Sequence, residues 1–156
     1  MKSLYLIRHA KSSWKDLNLI DYDRPLNGRG KHDAPMMAEK IALIYPSPQI
    51  IISSGAKRAS TTARFFLKGW NLTKMQQDKN RKLYLCSTRE LENIVKDLFN
   101  EYDCIAIVAH NPTIEHFLSI NCDFKRDKFP TCGFAHVYYN NEEWSLGSFH
   151  YPKQYY

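Results

Sequence analysis

Three short apolar runs, each halted by small or basic residues, set the tightest limit on how this chain can fold. Leu4-Tyr5-Leu6-Ile7 stops at Arg8-His9-Ala10-Lys11. Ile50-Ile51-Ile52 stops at Ser53-Ser54-Gly55 and leads to a helix start carrying Arg58. Cys104-Ile105-Ala106-Ile107-Val108 stops at Ala109-His110-Asn111-Pro112, again at a helix entrance. Runs of this kind suit strands buried on both faces of a parallel sheet. In open α/β sheets, ligands bind just beyond the carboxyl ends of the strands. The pattern therefore brings Arg8, His9, Arg58 and His110 to three strand ends. Any one of them, taken singly, equally fits a solvated loop or a helix cap; the recurrence is what points to a site.

The segments between these runs read mainly as helices. Ala34, Met37, Ala38 and Ile41 fall on one helical face, with Pro35 either starting or bending that helix. Ala59, Thr62, Ala63 and Phe66 form a second face, capped by Ser54 or Gly55 and closed at Gly69. Thr73 to Asp78 is a poorly patterned strand. Ser87-Thr88-Arg89-Glu90 is a capping box ahead of Leu91, Ile94, Val95 and Leu98. Asn111 and Pro112 serve as cap and first residue of a further helix. Ala135–Tyr139 and Glu143–Phe149 are predicted closing strands around an Asn140-Asn141 turn, and the tail from Tyr151 is poorly ordered or packed on the surface. Alternating strands and helices imply a parallel-rich α/β sandwich, and 156 residues suit one domain over 1–156.

Composition narrows the function classes. No apolar run is long enough to span a bilayer, and the chain enters a strand with no secretory leader, so a cytoplasmic protein without membrane contact is expected. Cys86, Cys104, Cys122 and Cys132 contain no C-x-x-C pair and read as free thiols rather than a metal or disulfide set. The net charge of +6 suits nucleic acid or any anionic substrate equally. The basic clusters Lys74–Lys82 and Lys125–Lys128 carry no nucleic-acid motif, so no nucleic-acid partner is expected.

Arg8-His9-Ala10 resembles the Arg-His-Gly signature of the histidine phosphatase (phosphoglycerate-mutase-like) superfamily. The longer set is similar to the SixA-type phosphohistidine phosphatases: Arg8 to Trp14, Asp23-Arg24-Pro25-Leu26-Asn27-Gly28-Arg29-Gly30, Ser53-Ser54 with Arg58-Ala59 and Thr62-Ala63, and His110-Asn111-Pro112. Gly55 stands where that branch usually has Pro, and Ala109 where Gly is usual. The resemblance implies a three-layer α/β/α sandwich with a mixed, mostly parallel central sheet. It also implies a phosphatase that hydrolyses phosphohistidine on a protein or peptide, with His9 transiently phosphorylated. A small-molecule phosphomonoesterase with the same pocket, and a non-catalytic phosphate- or phosphoprotein-binding module, are the alternatives.

In that scheme a neutral His9 attacks phosphorus. Arg8 and Arg58 clamp the phosphoryl oxygens, since charge stabilisation and positioning carry most of phosphoryl transfer. His110 is either protonated and donating to the phosphate, or neutral and orienting it. Lys11, Ser12 and Ser13 follow His9 directly and offer further phosphate contacts. Asp23, Arg24 and Arg29 either line the rim or, for Asp23 and Arg24, form a loop salt bridge. Glu90, Asp23 and Asp16 are the candidate general acids, though Glu90 is more simply the third residue of its capping box. A phosphohistidine substrate needs less help from an acid than an ester does. His32, His116, His136 and His150 share no spacing, and the chemistry calls for no metal or cofactor.

Overall fold

The computed structural model describes residues 1–126 and 128–156. Among these, strands β1 (Lys2–Arg8), β2 (Ile50–Ser53), β3 (Gln77–Lys79), β4 (Cys104–Ala109), β5 (Phe134–Asn140) and β6 (Glu143–His150) form one sheet in the order β3-β2-β4-β1-β5-β6. The first four are mutually parallel, and β5 and β6 extend the sheet in antiparallel pairing. Helices α1 (Gly28–Ile44), α2 (Lys57–Gly69), α3 (Thr88–Leu98) and α4 (Thr113–Cys122) complete the layers.

Strand alternation divides the apolar residues between two cores. Leu4, Leu6, Ile105 and Ile107 face Leu91 and Val95 of α3 and Ile114, Phe117 and Leu118 of α4. Tyr5, Ile7, Ala106 and Val108 face Ala34, Met37 and Ile41 of α1 and Ala59, Ala63 and Phe66 of α2. Continuous apolar runs are thus required because both faces of the central strands are covered. Each fully buried Leu, Ile or Phe contributes about 1.5–3 kcal/mol. The fold is the three-layer sandwich with a mixed sheet that the sequence implies.

Several local expectations are revised. Helix α1 starts at Gly28, capped by the Asn27 side chain on the Gly30 N–H (2.9 Å), and runs on through Pro35. The proline sits on the exposed side, so the buried face is uninterrupted. Thr73–Asp78 is a 3₁₀ turn (Lys74–Gln76) followed by β3 at the sheet edge. Helix α4 begins at Thr113, with Pro112 at the cap rather than inside. The hairpin turn is centred on Asn141 and Glu142, both at positive φ (51° and 63°), the primed geometry that matches strand twist. The tail is packed: Tyr156 Oη donates to the buried Asp33 carboxylate at 2.8 and 2.9 Å, and Tyr155 Oη bonds His150 Nδ1 at 2.8 Å. The Ser87–Glu90 capping box forms in both directions at 3.1 Å. All four thiols are free, and no described helix is long and apolar enough to cross a membrane.

Candidate active site

The carboxyl ends of β1, β2 and β4 lie side by side, and the residues that follow them meet. The register pairs Arg8 with Ala109 and Ser53 with Val108, so His9, Ser54 and His110 follow at the same edge. The His9 and His110 ring centroids are 5.1 Å apart. The His9 backbone N–H donates to the Ala109 carbonyl (3.2 Å), and the next amide, Ala10 N–H, donates to Thr62 Oγ1 of α2 (3.0 Å). Sheet and helix together thus fix where the imidazole starts.

The ring is fixed by a third bond. His9 Nδ1 lies 2.7 Å from the Ala10 carbonyl, which only accepts, so Nδ1 carries the proton and Nε2 keeps its lone pair. Burial, with the positive surroundings of His110, Arg58 and Arg8, pushes the His9 pKa down to about 3 against that bond. Burial and Arg58 likewise lower His110 to about 4, opposed by Asp21. Both imidazoles are therefore neutral near pH 7, which favours the neutral one of the two readings for His110.

Arg8 and Arg58 are braced from behind. Arg8 Nη1 donates to the Phe129 carbonyl (2.9 Å), which also accepts from Asn111 Nδ2 (3.0 Å). The Glu115 carboxylate holds that segment through the Phe129 N–H (2.7 Å) and Asn111 Nδ2 (2.9 Å). Arg58 is 4% exposed; its Nη1 donates to the Asp21 carbonyl (2.6 Å) and its Nη2 to Asp21 Oδ2 (2.9 Å). Asp21 Oδ1 accepts from Arg24 Nε (3.1 Å), and Tyr84 Oη also donates to Asp21 Oδ2. Partial burial raises the Asp21 pKa, but donors from Tyr84, Arg58 and Arg24 outweigh it and hold the carboxyl well below the usual carboxylate range.

These residues enclose a cavity of about 250 Å³, lined by Arg8, His9, Arg58, His110 and Asn111 at its base and Lys11, Ser12, Trp14, Arg24, Leu85 and Thr131 around them. The buried side-chain polar atoms with no partner among the described residues are Arg8 Nε, Arg58 Nε, His110 Nδ1 and Asn111 Oδ1, all on residues of this one cavity. Leaving such atoms unpaired costs about 1–3 kcal/mol each, more when charged. One buried and one half-buried guanidinium grouped this way with two buried imidazoles suit a tetrahedral anion.

Of the residues singled out from sequence, Arg8, His9, Arg58, His110, Lys11, Ser12 and Arg24 all line the cavity. Ser12 Oγ accepts from Arg24 Nη1 (2.8 Å), and the Arg24 guanidinium stacks 3.6 Å from the Trp14 ring centroid. Asp23 and Asp21 are both exposed and neither is among the cavity-lining residues; Asp21 is the one that bonds Arg58 and Arg24. Asp21–Asp23 is a 3₁₀ turn, in which i and i+3 eclipse. Asp21 therefore shares a face with Arg24 while Asp23 points elsewhere. The other acid candidates, Asp16 and Glu90, are exposed and engaged locally, Asp16 with the Asn18 N–H (3.0 Å) and Glu90 in its capping box. Arg29 reaches Asp33 (3.4 Å) and not the cavity.

Ser54 does not cap α2, which begins at Lys57. Its hydroxyl instead bonds His110 Nε2 at 2.7 Å. Gly55 adopts φ +87°, a backbone that proline cannot reach, so this turn differs from one built with Pro. Gly30 is required by close approach: a Cβ there would lie 2.2 Å from the Lys11 carbonyl oxygen.

Residues 4–82 match the family model of the histidine phosphatase superfamily, branch 1. A stretch of 63 residues is 44% identical to an uncharacterized chloroplastic protein of Arabidopsis thaliana; the match takes in 40% of this chain and only 29% of that protein's length. The fold superposes on a candidate phosphohistidine phosphatase SixA of Agrobacterium tumefaciens with a TM-score of 0.87 and 27% identity, covering 97% of this chain and 98% of the other. It also superposes on a protein histidine phosphatase SixA complexed with tungstate, with a TM-score of 0.85, 18% identity and coverage of 97% and 98%, a likeness of fold.

Proposed function

This chain belongs to the histidine phosphatase superfamily, and on that footing we propose that it is a hydrolase that removes the phosphoryl group from phosphohistidine on a protein or peptide. His9 Nε2 attacks phosphorus while the P–N bond to the substrate imidazole breaks. Arg8 and Arg58 hold the equatorial oxygens, and His110, Ser12 and Arg24 border them. Water then attacks the phosphorus on His9, releasing inorganic phosphate and restoring the neutral ring. Lys11 supplies positive charge at the mouth.

The observation that carries this reading is the state of Asp21. It is the carboxylate bonded to Arg58 and Arg24, and those two with Tyr84 hold it ionised; Glu115, on the Arg8 side, is taken up by the Phe129 N–H and Asn111. An ester oxygen leaving phosphorus needs a proton, which a positioned acid supplies for about 10²–10⁴-fold. An ionised Asp21 cannot supply it. A phosphohistidine ring protonated on its far nitrogen leaves as neutral imidazole and does not require that acid. The 250 Å³ cavity supports the same choice. Pockets that enclose drug-sized ligands run to about 300–1,000 Å³; a cavity just below that range supports a substrate whose carrier extends beyond it. The four free thiols support a reducing, cytoplasmic setting.

The test is phosphate release from a phosphohistidine peptide beside p-nitrophenyl phosphate, for wild type and His9→Ala. A marked preference for the peptide, abolished in the variant, is expected. Faster turnover of the ester would reassign the chain to small-molecule phosphomonoester hydrolysis. Phosphopeptide binding without His9-dependent release would make it a binding module.

A further inference from the structure

A second hollow lies apart from the catalytic cavity. It is a groove of about 820 Å³ between the exposed side of α2 and the edge strand β3. Lys57, Arg64, Lys68, Lys74 and Lys79 line it against one carboxylate, Asp78. All five cations are exposed, and none is in an ion pair among the described residues. Asp78 accepts from the Lys79 backbone N–H at 2.8 Å. The groove is thus an uncompensated positive surface.

It also adjoins the site. Lys57 precedes Arg58 at the start of α2, and Arg64 and Lys68 continue along the same side at helical spacing. At the other wall, Lys79 Cβ lies 3.8 Å from where a Cβ on Gly55 would stand, and Gly55 follows the serine that bonds His110. Lys57 and Lys68 are eleven residues apart on α2, which at 1.5 Å per residue is about 16 Å. An extended peptide covers that distance in roughly five residues at 3.3 Å each.

We propose that this groove receives an acidic segment flanking the phosphorylated histidine of a protein substrate. The inference rests on the reading of the site as a phosphohistidine phosphatase. The cavity is too small to hold a protein carrier, so recognition of the carrier's flanking residues falls to surfaces outside it. This groove combines volume, unpaired charge and continuity with the catalytic residues through Lys57-Arg58. Asp and Glu side chains about five residues from the phosphohistidine meet Lys57, Arg64 and Lys68 in turn.

Two synthetic phosphohistidine peptides, identical but for an acidic or a Ser/Ala flank, test this on wild type and Arg64→Glu/Lys68→Glu. Wild type is expected to favour the acidic flank in kcat/KM by roughly tenfold, the lower end of electrostatic steering. The preference should appear in KM and fade with salt. The double variant should lose it while hydrolysing the neutral peptide at the wild-type rate; Lys74→Glu alone, which leaves α2 untouched, should show a smaller loss. Equal wild-type turnover of both peptides overturns the groove assignment and leaves the catalytic reading intact. A variant slowed equally on both peptides also overturns it, since the effect is then on the site. No His9-dependent release from either peptide refutes the catalytic reading, and the groove assignment with it. An RNA oligonucleotide that competes more tightly than the acidic peptide, and loses this in the variant, reassigns the groove to nucleic acid.

Discussion

The two buried imidazoles make this protein acid-sensitive in a way that can be calculated. In the unfolded chain His9 and His110 titrate near 6.5; in the folded chain burial holds them at about 3 and about 4. Between those values the unfolded state binds protons that the native state refuses. Stability is therefore fully present above pH 6.5 and is lost as pH falls toward the folded values. The slope is about 1.4 kcal/mol per pH unit for each group in that window. From pH 7 to pH 5 each histidine costs about 2 kcal/mol, and the pair about 4 kcal/mol, out of a typical 5–15 kcal/mol. Urea unfolding at both pH values, in buffer free of phosphate so that no anion fills the cavity, measures the loss. His9→Gln and His110→Gln should each lose about 2 kcal/mol less than wild type over the same interval. The difference between proteins cancels the other titrating groups, His136 and His150 included. If both variants lose as much as wild type, the native imidazoles titrate as in the unfolded chain, and the burial that keeps His9 neutral is wrong; if the variants lose more than wild type, the native imidazoles are already protonated at pH 7.

Asp21→Asn removes the charge that aligns Arg58 and Arg24; kcat for the phosphohistidine peptide is expected to fall roughly 10- to 100-fold through misplacement, and an unchanged kcat would remove Asp21 from the bracing role. Glu90→Gln keeps the capping geometry and should leave kcat within about twofold; a loss of the size seen on removing a general acid, about 10²-fold or more, would restore it as the acid. Gly30→Ala drives a Cβ into the Lys11 carbonyl and should lower stability by about 1–3 kcal/mol, read as a drop in Tm; an unchanged Tm would contradict the close approach described for α1.

The chain itself determined the strands, their two-sided burial and the residues that follow them. Leu4–Ile7, Ile50–Ile52 and Cys104–Val108 could be read because a strand covered on both faces must be apolar throughout, and a sheet exposes its carboxyl ends to ligands. Arg8, His9 and His110 were legible because they follow closely on such a run, and Arg58 because it opens the helix after one. The capping box at Ser87–Glu90 was legible because its partners are three residues apart.

What could not be read is set by contacts between distant segments. Asp21 meets Arg58 across 37 residues and Tyr84 across 63, and Ser54 meets His110 across 56, pairings that no local spacing encodes. They exist because β4 lies between β2 and β1, which places the Ser54 turn and the His110 turn side by side at one edge. Asp21 rather than Asp23 bonds Arg58 and Arg24 because the 3₁₀ turn decides which of two nearby carboxylates faces them. Sequence supplied the charged groups; the order of the strands selected their neighbours, because hydrogen bonds and burial act through space and only the folded sheet fixes those distances.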